Sequence, residues 1–136
     1  MIVFFDASAL IYLVEGAEPF AGRVRSALVQ LTTKHPKMGA AVSRLSWLEC
    51  LIRPARNNEL AMLGKFDAFF ARSDLVWVEL SKNVVELATA IRVRYGLRTP
   101  DALQAASCLQ LGAKHFFLTG DIAFKKVAEL NTRMLK

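Results

Sequence analysis

Four acidic residues occupy places where an acid needs a reason: Asp6, Glu49, Asp101 and Asp121. Asp6 directly follows the apolar run Val3, Phe4, Phe5 and directly precedes another apolar stretch. A bare carboxylate in such surroundings is costly unless something neutralises or binds it. Asp121 comes one glycine after Thr119, at the end of "HFFLT". Both aspartates therefore stand just past the end of a strand-like run, where open parallel sheets place their ligands. Each is equally readable as a helix N-cap, the commoner task of an Asp after a strand. In "RLSWLECLI", Glu49 lies beside the stripe Leu45, Leu48, Ile52, which the spacing predicts to be buried. A charge on a buried face needs a partner, whereas a surface glutamate would need none. Asp101, in "RTPDAL", sits in the first turn of a helix, where the macrodipole alone would favour it. Behind it Ala102, Ala105, Ala106 and Leu109 form a face of mostly small residues that permits close packing on a sheet, carrying Asp101 toward the strand ends.

Converging carboxylates raise one another's pKa values, and a hard divalent cation removes the conflict. Mg²⁺ or Mn²⁺ with oxygen ligands suits phosphodiester hydrolysis by metal-activated water. His35 and His115 are too isolated to suggest zinc.

The elements that must position these acids alternate along the chain. Residues 2–5 read as a short strand, apolar throughout as expected where both faces are covered. A helix is expected over 19–33, a strand over 38–42, and a helix from 44 with Ser43 as its N-cap. Then come a helix over 59–70, a strand over 75–80, and a helix capped by Ser81 and stopped by Gly96. Thr99 and Pro100 signal the start of the next helix, which Gly112 ends. A strand over 115–119, a short helix near 122–127 and a weak strand near 133–135 complete the series. This alternation predicts an α/β fold with a mainly parallel sheet of four to five strands.

The chain has 136 residues, enough for one domain over 1–136, and 54% of them are hydrophobic, enough for a substantial core. No apolar stretch has the length of a membrane span, and no basic residue precedes Arg23 as a signal peptide would require. A cytoplasmic protein is expected, with Cys50 and Cys108 as reduced core residues, a disulfide between them remaining the alternative. The net charge of +6 fits a polyanionic partner, and equally fits simple solubility.

The stretches "FFDASALIYL", "SRLSWLEC", "RTPDALQAASCLQLGAKHFFLTGD" and "IAFKKV" resemble the PIN-domain ribonucleases, and most of all the VapC toxins of bacterial toxin–antitoxin pairs. The resemblance runs through essentially the whole chain. It implies a three-layer α/β/α domain, Mg²⁺ or Mn²⁺ dependence, and endonucleolytic cleavage of a structured RNA. Carried over by motif, the acidic quartet that serves as catalytic and metal-binding set is Asp6, Glu49, Asp101 and Asp121, supported by Ser8 and Thr119. Gly120 departs from the asparagine frequent in the family, which bears on the loop that holds Asp121. The resemblance also implies a homodimer and a cognate antitoxin that covers an apolar groove and places a basic side chain among the acids.

A dehalogenase-type phosphatase would want an Asp at position 8, where Ser8 stands, and a receiver domain would want adjacent acids after the first strand. A non-catalytic RNA-binding module would use the charge excess but leaves the four acids unexplained. Arg92, Arg94, Arg98, Lys125 and Lys126 are candidates for the RNA backbone, with helix C-terminal placement or solvation as the plainer reading. The segment 47–70 holds more apolar residues than one helical stripe can bury. It is either a two-sided core helix or an interface.

Overall fold

The computed structural model describes residues 1–135. Five parallel strands form the sheet: β1 (Ile2–Phe5), β2 (Gly39–Ser43), β3 (Leu75–Val78), β4 (His115–Thr119) and β5 (Thr132–Met134). Their spatial order is β3-β2-β1-β4-β5. The helices are α1 (Ala7–Glu15), α2 (Phe20–Lys34), α3 (Leu45–Arg56), α4 (Leu60–Phe70), α5 (Lys82–Tyr95) and α6 (Thr99–Leu109), and a 3₁₀ turn spans Ile122–Lys126.

The unbroken apolar character of β1 has the expected cause. Val3 and Phe5 join the core under α1, α2, α3 and α4, while Phe4 between them joins the core under α5 and α6. Side chains alternate across a strand, so a central strand covered on both faces must be apolar at every position. The result is the three-layer α/β/α arrangement.

Chain order rises from β1 outward through β2 to β3, then returns to the other side of β1 for β4 and β5. The reversal falls between β1 and β4, which is where a doubly wound sheet opens a crevice at its carboxyl end. Phe5 is in register with Leu118, so Asp6 and Thr119 come next to each other at that crevice.

Several boundaries differ from expectation for local reasons. Ser43 is the last residue of β2 rather than a cap; Arg44 holds the cap position, although the Ser43 hydroxyl still accepts from the Leu45 amide at 3.1 Å. Thr99 is likewise inside α6, with Arg98 at the cap, and its hydroxyl instead accepts from Arg92. The larger correction concerns α3. Its buried residues are Ser46, Cys50, Leu51 and Pro54, whereas Leu48 and Ile52 are 57% and 47% exposed. The stripe Leu45, Leu48, Ile52 faces largely outward because α3 packs through small and polar residues against β2 and α6. In α4, Phe66 and Phe70 are buried and Met62 and Phe69 are partly covered, so this helix is mainly a core helix with two covered sides.

Candidate active site

Asp6 is 3% exposed and sits at the N-cap of α1. Its Oδ1 accepts from the Ala9 amide at 2.9 Å and from the Ser8 hydroxyl at 2.7 Å, and its Oδ2 accepts from the Thr119 hydroxyl. The helix therefore starts where the strand stops because the carboxylate satisfies a free amide in the first turn of α1. Burial pushes the Asp6 carboxyl up to about 6, against the lowering effect of its three hydrogen bonds and with a further push from Asp121. A carboxylate has about four lone-pair positions, and its three bonds here leave room for an added ligand.

Asp121 is fixed by the same network. Its amide donates to Thr119 Oγ1 at 3.0 Å, and its own Oδ1 accepts from the Ala123 amide at 2.9 Å, capping the 3₁₀ turn. Gly120 donates its amide to Ser8 Oγ at 3.3 Å. A Cβ at position 120 would come within 3.1 Å of Tyr12 Cε2, so glycine here permits a close approach to α1. The loop that lacks the frequent asparagine is tied down by Ser8 and Thr119. For both aspartates the cap reading holds.

Glu49 is half-buried, and the reason is not the stripe from which its placement was expected. It lies on the polar seam between α3 and α6, where Gln104 Nε2 donates to Glu49 Oε1 at 2.8 Å and to Ser46 Oγ at 3.0 Å. Desolvation raises the Glu49 carboxyl above its ordinary range, opposed by the Gln104 bond, with Asp101 adding to the rise and Arg98 opposing it. Asp101 lies in the first turn of α6 and accepts from Arg98 Nε at 3.2 Å. The small face behind it packs as expected, with Ala102, Ala105 and Ala106 buried. Ser107 donates to Leu103 O and lies 3.0 Å from Ser43 Oγ, a further polar contact at the same seam.

The charge of Asp121 raises Asp6, and the charge of Asp101 raises Glu49. Buried Cys50 feels both Glu49 and Asp6; burial first, then those charges, hold its thiol protonated well above the usual range. Among the described residues, no three of the His, Cys, Asp and Glu side chains stand in metal-holding geometry. The donor set nevertheless fits a hard cation: every donor is oxygen, Asp6 and Glu49 are desolvated, and Arg98 is the one cation seen to pair with the quartet among the described residues. Of the basic candidates, only Arg98 touches it. Arg92 bonds Thr99, Arg94 pairs with Glu129, and Lys125 and Lys126 are exposed at the end of the 3₁₀ turn.

Gln104 was not anticipated from the sequence. The signal was present: an amide set among Ala102, Ala105 and Ala106, three residues after Asp101, on a helix whose face was expected to be apolar.

The PIN domain family model matches residues 3–130. The chain belongs to the PIN domain family. Among solved structures, the VapBC2 complex of Rickettsia felis bound to a fragment of its promoter DNA is similar, with a TM-score of 0.76, 16% identity and complete coverage of both chains. VapBC-1 of nontypeable Haemophilus influenzae matches with a TM-score of 0.73 at 17% identity, covering 99% of this chain and 98% of that one. VapC20 of Mycobacterium tuberculosis, described as a sarcin–ricin loop cleaving toxin, matches at 0.72 and 16% identity over 96% of this chain and 98% of that one. At these identities the likeness is one of fold. No curated protein matched the sequence. This PIN domain holds no helix, among the described residues, that is long and apolar enough to cross a membrane.

Proposed function

We propose that this PIN domain is a divalent-metal-dependent endoribonuclease, the toxin of a toxin–antitoxin pair that cleaves a structured RNA. The observation that carries the reading is the crevice between β1 and β4. There Asp6 is buried, raised to about 6 and ringed by hydroxyls, with the charge of Asp121 acting on it, and Glu49 and Asp101 act on each other at the α3–α6 seam. Capping accounts for one oxygen of Asp6 and one of Asp121, and the repulsion within each pair of acids is a cost that capping does not require.

Asp6, Asp121, Glu49 and Asp101 would hold the cation. Mg²⁺ or Mn²⁺ bound there would polarise a phosphoryl oxygen and acidify a water molecule. The chain's own role is orientation. Ser8, Thr119 and the Ala9 amide fix both oxygens of Asp6, and Gln104 fixes Glu49 Oε1. Arg98, holding Asp101 and largely exposed, can turn to a phosphate of the entering strand.

A homodimer and an antitoxin partner belong to the same reading. Its support is an apolar surface on α3 and α4, where Trp47, Leu48, Ile52 and Leu60 are 43%, 57%, 47% and 76% exposed. The similar VapBC structures, which are complexes, add support.

The test is cleavage of structured RNA by purified protein with Mg²⁺, Mn²⁺ or a chelator, beside Asp6→Asn prepared identically. Cleavage that needs the metal and vanishes in the variant is expected. RNA binding without cleavage under every metal condition would instead identify a non-catalytic RNA-binding module.

A further inference from the structure

A second polar site lies behind the acids. Between α2 and β5 is a cavity of about 440 Å³ lined by Arg23, Ser26, Gln30, Lys125, Thr132 and Arg133 among others, with no acidic residue in its wall. Arg25, Arg44, Arg53, Arg72, Arg94 and Arg98 all pair with carboxylates. Arg23, Lys125 and Arg133 pair with none among the described residues, yet they share one cavity. Gathering like charges without a counter-ion is unfavourable, and an anion bound between them removes that cost. Thr132 also lines the cavity. Its hydroxyl is one of two buried side-chain polar atoms lacking a hydrogen-bond partner among the described residues.

Arg23 lies between this cavity and the loop that carries Gly120. That residue also lines a small cavity of about 60 Å³ with Tyr12, Phe20 and Gly120. Gly120 bonds Ser8, which bonds Asp6. Along this path Tyr12 and Phe20 stack at 4.8 Å between ring centroids, and Phe20 remains 40% exposed. Cations beside an exposed aromatic face are the ingredients of single-stranded nucleic-acid binding.

We infer that the α2–β5 cavity is a phosphate subsite, in which Arg23, Lys125 and Arg133 hold a backbone phosphate of single-stranded RNA whose neighbouring segment lies in the acidic crevice. The subsite rests on the nuclease reading and adds a binding site to it. Arg23 and Arg133, which the sequence did not single out, acquire a role, and Lys125 moves from general basicity to a defined position.

The experiment is fluorescence anisotropy of a labelled single-stranded oligoribonucleotide, titrated with protein in EDTA at several salt concentrations. Wild type is compared with Arg23→Gln, Lys125→Gln and Arg133→Gln, with Arg72→Gln as control because Arg72 pairs with Asp74 away from this cavity. Removing one cation from the phosphate should flatten the plot of log affinity against log salt by about 0.7, which is about fivefold weaker binding near 0.1 M salt. The control should match wild type. Arg133 also bonds Gln30, so a melting curve accompanies its variant. The Lys125 side chain bonds nothing among the described residues, and its variant tests binding without that concern. If all three variants keep the wild-type slope while the protein still cleaves RNA, the subsite is overturned and the nuclease reading stands. A wild type with neither RNA affinity nor cleavage overturns both. Inorganic phosphate protecting wild type against heat, with RNA binding unchanged in the variants, would mark a free-anion site and overturn the assignment to RNA. Loss of an acidic protein partner with RNA affinity intact would overturn it as well.

Discussion

Replacing Asp6 by Asn should make the metal-free protein more stable while removing its activity. The Asp6 carboxyl rises from 3.8 to about 6, chiefly through burial, and Asp6 is 3% exposed, so solvent screening is slight. A rise of about two pH units corresponds to about 3 kcal/mol of unfavourable ionisation in the folded state at neutral pH. The sign follows from proton binding: between about pH 4 and 6 the folded form holds the proton more tightly than the unfolded form, so stability falls as pH rises through that window and is level above it. Asn keeps an oxygen for the Ala9 amide and the Ser8 hydroxyl but turns an NH₂ toward Thr119, whose hydroxyl then loses its acceptor. That exchange costs about 1 kcal/mol. The net expectation at pH 7 is a gain of about 2 kcal/mol for Asp6→Asn, shrinking toward zero or below at pH 4. Urea unfolding in EDTA across this range measures it directly. If wild type and variant show the same pH slope, Asp6 is not the group that burial destabilises, and the case for its needing a bound cation fails.

Three further outcomes are expected. Mg²⁺ or Mn²⁺ should raise the melting temperature of wild type, by about 2.7 kcal/mol of stabilisation at a hundredfold excess over Kd, and should do so weakly below pH 6 and in Asp6→Asn; calorimetry that shows no shift at pH 7 would exclude the cation site. Gln104→Leu removes the donor that restrains the rise of the Glu49 carboxyl, so the acid limb of the pH–rate profile should move upward; an unmoved profile would make Gln104 a packing residue only. Leu48→Lys with Ile52→Lys places charges on exposed apolar surface, so folding should be unaffected while light scattering changes from dimer to monomer; an unchanged dimer would place the interface elsewhere.

The sequence by itself determined the features of this protein whose cause is local. A strand covered on both faces must be apolar at every position, so "IVFF" and "HFFLT" were legible as strands, and β4 falls where expected. Ser81 and Gly96 bound α5 as read, since a capping hydroxyl and a left-handed glycine act within a few residues of their position. The acids Asp6 and Asp121 were visible because each interrupts or closes such a run. What the sequence could not decide was which face of a helix meets the core. In α3 the apolar spacing pointed to Leu48 and Ile52, and packing chose Ser46, Cys50 and Pro54, because that face meets the sheet and the polar seam of α6. The partner that holds Glu49 at the seam lies 55 residues away, in Gln104. The grouping of Arg23 with Lys125 and Arg133 likewise exists only once β5 closes the sheet beside β4. Periodicity reports that a helix has two faces; only the neighbours brought by the fold determine which of them is buried.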